Sequence, residues 1–455
     1  MRTNVRATSV AQTHEGATTV SVNALEKLKR SVMSCMLWEK TFYEDGVAVV
    51  DRIADLVPKI KAEEAFKIAV DARNKSKLRH VPLLIARIMA KCNGHKKLVG
   101  RLLSEIVQRP DELTEFLSIY WKDKRQPLSS QVKTGLAAAF KKFNEYSLAK
   151  YNRDDKIKLR DVLFLSHPKP ENKEQQDLWN RLIKGELKTP DTWEVELSAK
   201  GNNKESWERL VSEKKLGGLA LLRNLRNMIE KSVSWQAIRS ALSEMKTERI
   251  LPFRFIAAAR YAPDFEPELE QAMFKCVAKK EKLPGKTVLL IDVSGSMDNT
   301  LSDKSEMRRD DAAYGLGILA RELCEDVQIF SFSESIVKIP ARRGFALRDA
   351  IKNSQVHSST YTGQAVSLIN SKFEYERIII ITDEQSADQV PNPKGKGYII
   401  NVASYENGIG YGPYIHINGW SEAVLDYIRE YENQDARRKG EGTGSTSSNT
   451  QKLSF

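Results

Sequence analysis

The chain has 455 residues, of which 41% are hydrophobic and 29% charged, and its formal net charge is +12. This length allows two or three domains with substantial cores, and the absence of an apolar run of about 20 residues excludes a membrane-spanning helix. The charge is uneven, because Lys and Arg minus Asp and Glu give +17 for residues 1–290 and −5 for residues 291–455. A basic region of this kind is typical of proteins that bind polyanions such as nucleic acid, and equally of a well-solvated surface.

Cysteine usage and the N-terminus predict a cytoplasmic protein. The four cysteines, Cys35, Cys92, Cys276 and Cys324, lie far apart and have no paired spacing, which is typical of reduced thiols. The first residues contain no apolar core, so they do not form a secretory signal. Residues 1–18 are small and polar, and we expect a flexible arm there.

From about residue 22 onward the apolar residues recur every three or four positions, which predicts serial helices. Short polar turns such as "EDG" and "QRPDE" interrupt the pattern every 15–20 residues or so. Strand-like alternation is nearly absent before residue 285. The pattern favours a HEAT-like solenoid over residues 19–284. Because no crisp repeat is present, an irregular helical domain remains the alternative.

The character of the sequence changes at "KEKLPGK", residues 280–286. Ile- and Val-rich runs such as "TVLLIDV", "VQIFSFS", "RIIIITD" and "GYIINV" now alternate with helical segments. Such runs predict a mostly parallel, Rossmann-like sheet buried on both faces, in an α/β domain over residues 285–432. The Gly-, Ser- and Thr-rich residues 433–455 are predicted to be a disordered tail.

Five oxygen-bearing residues follow the predicted strands of this α/β domain. Asp292, Ser294 and Ser296 form a D-x-S-x-S pattern after the first strand, Thr360 precedes a helix, and Asp383 ends the "IIIITD" strand. Ligands of such sheets bind beyond the carboxyl ends of the strands. Carboxylate and hydroxyl oxygens suit a hard cation, and we expect Mg²⁺. The alternative is that Asp292 and Asp383 only cap the loops and helices that follow them.

Sequence signatures of common enzymes are missing. The chain has no phosphate-binding G-x-x-x-x-G-K-[ST] loop and no G-x-S-x-G nucleophile elbow. A serine, Ser294, stands where a haloacid-dehalogenase phosphatase would carry its second aspartate. The six histidines show no spacing typical of a catalytic triad or a metal site. We therefore expect a protein that is not an enzyme.

The basic half contains three segments in which cations accompany aromatic or apolar residues, namely residues 147–170, 216–230 and 248–263. In the first of them, Lys150, Arg153 and His167 surround Tyr151 and Phe164. Cationic side chains neutralise phosphates, and aromatic rings stack on unpaired bases. Each segment taken alone could equally be a solvated helix face with a buried aromatic residue.

Two family resemblances follow from these motifs. Residues 285–430 resemble the von Willebrand factor A fold with its metal-ion-dependent adhesion site, and all five oxygen positions of that site are filled. The helical half resembles the TROVE module of the Ro autoantigen family. The motifs that carry this second resemblance are "TFYEDG" (41–46), "LSHPKP" (165–170), "ALLRNL" (220–225) and "LPFRFIAA" (251–258), in which Leu251 replaces the family's histidine.

The resemblance implies a monomeric ring of helical repeats closed by the A-type domain. Members of that family bind small noncoding Y RNAs on a basic outer surface, and single-stranded 3′ ends of misfolded RNAs in the central hole. Its RNA-contacting residues match Lys150, Arg153 and His167. The resemblance also implies RNA quality control beside an exoribonuclease, and the compact chain suits a bacterial or phage source. The competing hypothesis is a metal-dependent adaptor whose A-type domain captures an acidic protein partner without RNA.

Overall fold

The computed structural model describes residues 24–33, 46–74, 78–190, 192–247, 250, 252–278, 280–301, 306–403, 413–418, 424–425, 428–429 and 431–433. The predicted arm, the first five residues of the "TFYEDG" motif and the predicted tail beyond residue 433 lie outside the described residues. In the described chain, helices fill the part before residue 278, and strands begin only at Leu283. Both features agree with the predicted division into a helical half and an α/β half.

Sixteen α-helices make up the described part of the helical half. They are α1 (Ala24–Met33), α2 (Gly46–Leu56), α3 (Ala62–Asn74), α4 (His80–Lys91), α5 (Val99–Ile106), α6 (Pro110–Tyr120), α7 (Ser130–Phe140), α8 (Glu145–Tyr151), α9 (Leu159–Ser166), α10 (Lys173–Lys184), α11 (Trp193–Lys200), α12 (Lys204–Ser212), α13 (Gly218–Glu230), α14 (Trp235–Glu244), α15 (Phe253–Tyr261) and α16 (Glu266–Val277).

Local sequence explains where many of these helices begin. Six of them start after a residue whose side chain accepts a hydrogen bond from the backbone N–H three residues further on. Such a cap satisfies one of the N–H groups that a helix leaves unpaired at its start. The capping residues are Ser129, Asn144, Asn172, Thr192, Asn203 and Ser234.

Helices pack mainly on helices one or two places along the chain, as in a solenoid. The contact between α5 and α7 is especially close, because a Cβ on Gly135 would lie 2.8 Å from the Gly100 carbonyl oxygen. The buried residues of α1 to α10 form one hydrophobic core. A second core begins at Trp207 in α12 and continues without a break into the α/β half. The later helices are therefore part of the same packed unit as the sheet.

The described part of the α/β half contains a six-stranded sheet and three continuous α-helices. The strands are β1 (Leu283–Asp292), β2 (Cys324–Phe332), β3 (Ile336–Lys338), β4 (Arg377–Thr382), β5 (Lys396–Asn401) and β6 (Tyr414–Asn418), and the helices are α17 (Arg309–Leu323), α18 (Gly344–Lys352) and α19 (Thr362–Lys372). The strand order is β3-β2-β1-β4-β5-β6, and all neighbours are parallel except β2 and β3. The sequence analysis did not predict β3, α18 or β6.

Both faces of the sheet are covered, as expected for near-continuous apolar strands. In β1, Leu289 and Ile291 pack with α17 and α18, whereas Val288 and Leu290 pack with α19 on the opposite face. Residues 424, 425, 428, 429, 431 and 432 are helical, as the pattern of "SEAVLDYIREYE" (421–432) predicts, and residue 433, at the start of the predicted tail, is helical as well. None of the described helices is long and apolar enough to cross a membrane.

The two ends of the helical half both contact the α/β half. α15 and α16 pack against α17, and α1 contacts the outermost strand, β6. The chain therefore closes on itself, with its first described helix against its last described strand. A ring of helices closed by an α/β domain was the predicted architecture.

Candidate metal centre and nucleic-acid interface

The five predicted oxygen residues lie where the strand order of the sheet reverses, because β2 is added on one side of β1 and β4 on the other. Asp292 ends β1, and β1 lies between β2 and β4. Asp383 directly follows β4. In parallel sheets this reversal opens a crevice beyond the strand ends, and ligands bind there. The strand order thus brings two carboxylates to the same crevice although 90 residues separate them along the chain.

Asp292 is fully buried, and its two carboxylate oxygens have different donors. The Ser294 backbone N–H donates to Oδ1 at 2.8 Å, and the Thr382 hydroxyl donates to Oδ2 at 2.6 Å. Burial and the nearby Asp383 carboxylate raise the pKa of Asp292 to about 7. A charged Asp292 at neutral pH therefore needs positive charge nearby, which a cation in the crevice would supply.

The hydroxyl groups of the site approach one another. Ser294 Oγ and Ser296 Oγ are 3.3 Å apart. Thr360 and Thr362 are fully buried, and their Oγ1 atoms have no hydrogen-bond partner within the described chain. A buried hydroxyl without a hydrogen bond lowers the stability of the fold by about 1–3 kcal/mol, and a bound ligand would remove this cost. The Thr360 hydroxyl, with Asp292, Ser294 and Ser296, fits a hard cation held by oxygen donors.

Asp383 has a partner that the sequence analysis missed. The guanidinium of Arg309, at the start of α17, places Nη1 3.0 Å from Asp383 Oδ2, and both side chains are almost completely buried. The same nitrogen donates to the Ser296 carbonyl oxygen at 3.1 Å. Only the D-x-S-x-S spacing and the strand ends mark this site in the sequence, and nothing local to Arg309 points toward Asp383.

A second buried pair of side chains begins with the residue that follows Asp383. Glu384, next to Asp383, has a positive φ of 63° and pairs with His416 of β6 across 2.8 Å. This pair connects the loop after β4 to the strand that contacts α1. It also was not predicted, because its two residues come from distant segments that meet only in the folded sheet.

The predicted RNA-contacting residues fall on two neighbouring surfaces. His167 follows α9 in the left-handed conformation, with φ 49° and ψ 53°. It lines a groove with a volume of about 1170 Å³, which we call the cationic groove. The basic residues of the cationic groove are Lys133, Lys141, Lys142, His167 and Lys169.

Within the cationic groove the lysines differ in how they are held. Lys142 donates to the Ser104 carbonyl oxygen at 2.6 Å, and so fixes the end of α5. Lys141 lies 3.6 Å from a carboxylate oxygen of Glu171. Lys133 and Lys169 are exposed and form no ion pair within the described residues. These two lysines are therefore the most available for an anionic ligand.

Lys150 and Arg153 do not line the cationic groove. Lys150 lies 3.8 Å from Glu194 and 6.0 Å from the ring centre of Tyr151, over which Arg109 stacks at 4.5 Å. Arg153 is exposed in the loop after α8. The structure thus brings His167 and Lys169 of the "LSHPKP" motif together with Lys133, Lys141 and Lys142, which lie on α7 or directly after it and which the sequence analysis did not single out.

One apolar side chain on this side of the molecule is unusually exposed. Phe164 keeps 53% of its surface in contact with solvent. On α9 it lies four residues after the exposed Arg160, so these two residues share one side of the helix, and His167 follows directly after the end of the helix. An exposed ring between cationic groups is suited to stack on a base.

Comparison with known proteins identifies the family of this chain and a solved structure with a similar fold. The TROVE domain model matches residues 11–186 and 179–290, which is more than half of the chain. The chain therefore belongs to the TROVE domain family, a family of RNA-binding proteins. Among solved structures, the crystal structure of the Deinococcus radiodurans RO (RSR) protein superposes with a TM-score of 0.65. That alignment covers 91% of this chain and 100% of the other at 17% identity, and it confirms the fold class.

Two curated relatives share shorter regions. Telomerase protein component 1 of Mus musculus is 33% identical over 110 residues, which is 23% of this chain and 4% of the mouse protein. Its counterpart in Rattus norvegicus is 23% identical over 360 residues, which is 59% of this chain and 13% of the rat protein. The chain thus spans only a small fraction of the length of these relatives.

Proposed function

We propose that this protein is an RNA-binding scaffold that acts in RNA quality control. A structured noncoding RNA of the Y type would bind the basic outer surface, and the single-stranded 3′ end of a misfolded RNA would enter the ring. An exoribonuclease is the partner expected to act on RNA held in this way. The observation that carries the proposal is the cationic groove, in which His167 of the "LSHPKP" motif meets four lysines.

Charge and shape support RNA as the ligand. Phosphate contacts to Lys133 and Lys169 would provide affinity without sequence preference. Phe164 would select for unpaired nucleotides, because only splayed bases can stack on an exposed ring. Lys150 and Arg153 would extend the phosphate path beyond the groove.

The direct experiment is RNA binding by the purified chain, measured by fluorescence anisotropy with a labelled single-stranded RNA and a labelled stem-loop. We expect the logarithm of the association constant to fall linearly with the logarithm of salt concentration, with a slope of about −0.7 for each single-strand phosphate contacted. The double variant Lys133→Glu/Lys169→Glu should weaken binding by about 100-fold at low salt. Lys372→Glu, an exposed lysine at the end of α19, is the matched control and should leave binding within about threefold. Equal loss in both variants would refute a specific role for the groove.

A second candidate function is supported by the buried hydroxyl of Thr360 at the crevice, which has no hydrogen-bond partner among the described residues. A Mg²⁺ ion held by Asp292, Ser294, Ser296 and Thr360, with Asp383 nearby, would supply a Lewis-acidic point that binds a carboxylate of a protein partner. In this case partner capture from a lysate should be abolished by EDTA and by Asp292→Ala but should resist nuclease treatment. If nuclease treatment abolishes the capture, the partner binds through RNA, and the adaptor function is wrong.

A further inference from the structure

We propose that Arg309 is a built-in counter-cation of the metal centre, which neutralises Asp383 when no ion is bound and weakens the affinity of the site for divalent cations. This inference rests on the proposed metal centre and concerns a residue outside its predicted ligand set. Arg309 would thereby set how readily the crevice exchanges its ion.

The position of Arg309 is the first support. Its side chain is 2% exposed and that of Asp383 is fully buried, and their closest atoms are 3.0 Å apart. Its neighbour Arg308 provides a contrast, because the Arg308 side chain is 30% exposed and pairs with Asp298 and Asp310 instead. Two adjacent arginines thus have different roles, and only Arg309 reaches into the crevice.

The balance of charge is the second support. Asp292 and Asp383 place two carboxylates in a buried crevice, and a buried carboxylate without a partner strongly destabilises a fold. Arg309 supplies one positive charge permanently, so Asp383 has a charged partner whether or not an ion is bound. A divalent cation would then bind close to a guanidinium in a poorly screened environment, and mutual repulsion would lower its affinity.

The oxygens of Asp383 provide the third support, because both already accept hydrogen bonds. Oδ2 accepts from Arg309, and Oδ1 accepts from the Gln385 backbone N–H at 3.3 Å. By contrast, the Thr360 hydroxyl has no partner within the described chain. The site therefore offers hydroxyls to an ion freely but shares Asp383 between the ion and Arg309.

The test measures Mn²⁺ binding by isothermal titration calorimetry on the full chain. Arg309→Met, which removes the charge and keeps most of the side-chain volume, should bind Mn²⁺ at least tenfold more tightly than the unaltered protein. Arg309→Lys should bind within about threefold of it, and so should Arg308→Met, the matched control that removes the same charge one residue away. If Arg309→Met gains no affinity, or if Arg308→Met gains as much, the inference is wrong.

A second readout covers the case in which Arg309→Met folds poorly. Arg309→Gln retains a donor for the Ser296 carbonyl but leaves Asp383 uncompensated. Its thermal midpoint should be several degrees below that of the unaltered protein in EDTA, and Mn²⁺ should restore most of the difference. A midpoint that Mn²⁺ leaves unchanged would count against the inference.

The Asp292→Ala variant distinguishes a failure of the proposed role of Arg309 from a failure of the metal centre itself. Loss of Mn²⁺ binding in Asp292→Ala, with unchanged affinity in Arg309→Met, would uphold the metal centre and refute only the role of Arg309. Binding that Asp292→Ala leaves intact, or no binding by any variant at millimolar Mn²⁺, would refute the metal centre itself.

Discussion

The two candidate sites of this protein are built in opposite ways. On the helical half the cationic groups are exposed, spread over α7 and the end of α9, and held by few partners. In the α/β half, Asp292, Ser294, Thr360 and Asp383 are almost completely buried, and the loops that carry them are linked by hydrogen bonds. The difference follows from the ligand, since a polyanion needs a broad surface whereas an ion needs a small shell of oxygens.

This contrast predicts how each site should respond to amino-acid substitution. Exposed charges contribute separately and are screened by salt, so single substitutions on the helical surface should have small, additive effects. Buried polar groups depend on one another, so a single substitution in the crevice should alter both ligand affinity and stability. The predictions below test whether the two halves behave so differently.

The largest effect is expected from a buried ion pair that belongs to neither site. Glu112 accepts from Arg73 at 2.7 Å and from the backbone N–H groups of Gln108 and Arg109. Glu112→Ala leaves the buried Arg73 guanidinium with the Ile106 carbonyl but without its carboxylate, and it should lower the free energy of unfolding by about 3–5 kcal/mol in urea denaturation. Glu105→Ala, which removes the exposed partner of Arg101, is the control and should cost about 0.5 kcal/mol or less. RNA affinity of the folded protein should be unchanged in both variants.

Phe164→Ala should reduce affinity for single-stranded RNA by about 1–3 kcal/mol, because it removes one stacked base contact. Affinity for a fully paired duplex should change little, since paired bases cannot reach the ring. Anisotropy titrations with the two RNAs measure the difference, and Phe164→Tyr is the control that keeps the ring. An equal loss for duplex would mean that Phe164 supports the surface rather than a base.

Thr360→Val should separate stability from ligand affinity in the α/β half. The change removes a buried hydroxyl that has no partner within the described residues and keeps the side-chain shape, so the metal-free protein should gain about 1 kcal/mol of stability. Mn²⁺ affinity should fall at the same time. A loss of stability in EDTA would show that the Thr360 hydroxyl is already satisfied in the folded chain.

The smallest effect is expected from Lys150→Glu. Lys150 lies outside the cationic groove and beside Glu194, so reversing its charge should weaken RNA binding only a few-fold. The slope of log affinity against log salt concentration should change by less than the contribution of one phosphate contact. Glu194→Gln should strengthen binding slightly, because it removes the competing carboxylate. A loss as large as that of the groove variants would place the main RNA contact at Lys150 and reverse the ranking of the two surfaces.

Periodicity and composition determined the main outline of this protein. The spacing of apolar residues predicted serial helices up to residue 284, and the runs around Val288 and Ile380 predicted parallel strands. These features are local, since a helix or a buried strand needs only its own pattern of side chains. The strands β3 and β6 were missed, because they are only three and five residues long and are too short for their residue pattern to predict a strand.

The D-x-S-x-S pattern and the "LSHPKP" motif were also determined by the sequence alone, because each lies within a few residues. Tertiary structure alone decided what surrounds them. The Arg309–Asp383 pair spans 74 residues, and the groove places Lys133 of α7 beside His167 after α9. Such contacts depend on strand order and on helix packing, which no short stretch of residues specifies. The short motifs therefore determined which chemical groups each site contains. The charges around those groups depended on contacts between segments that are distant in the sequence.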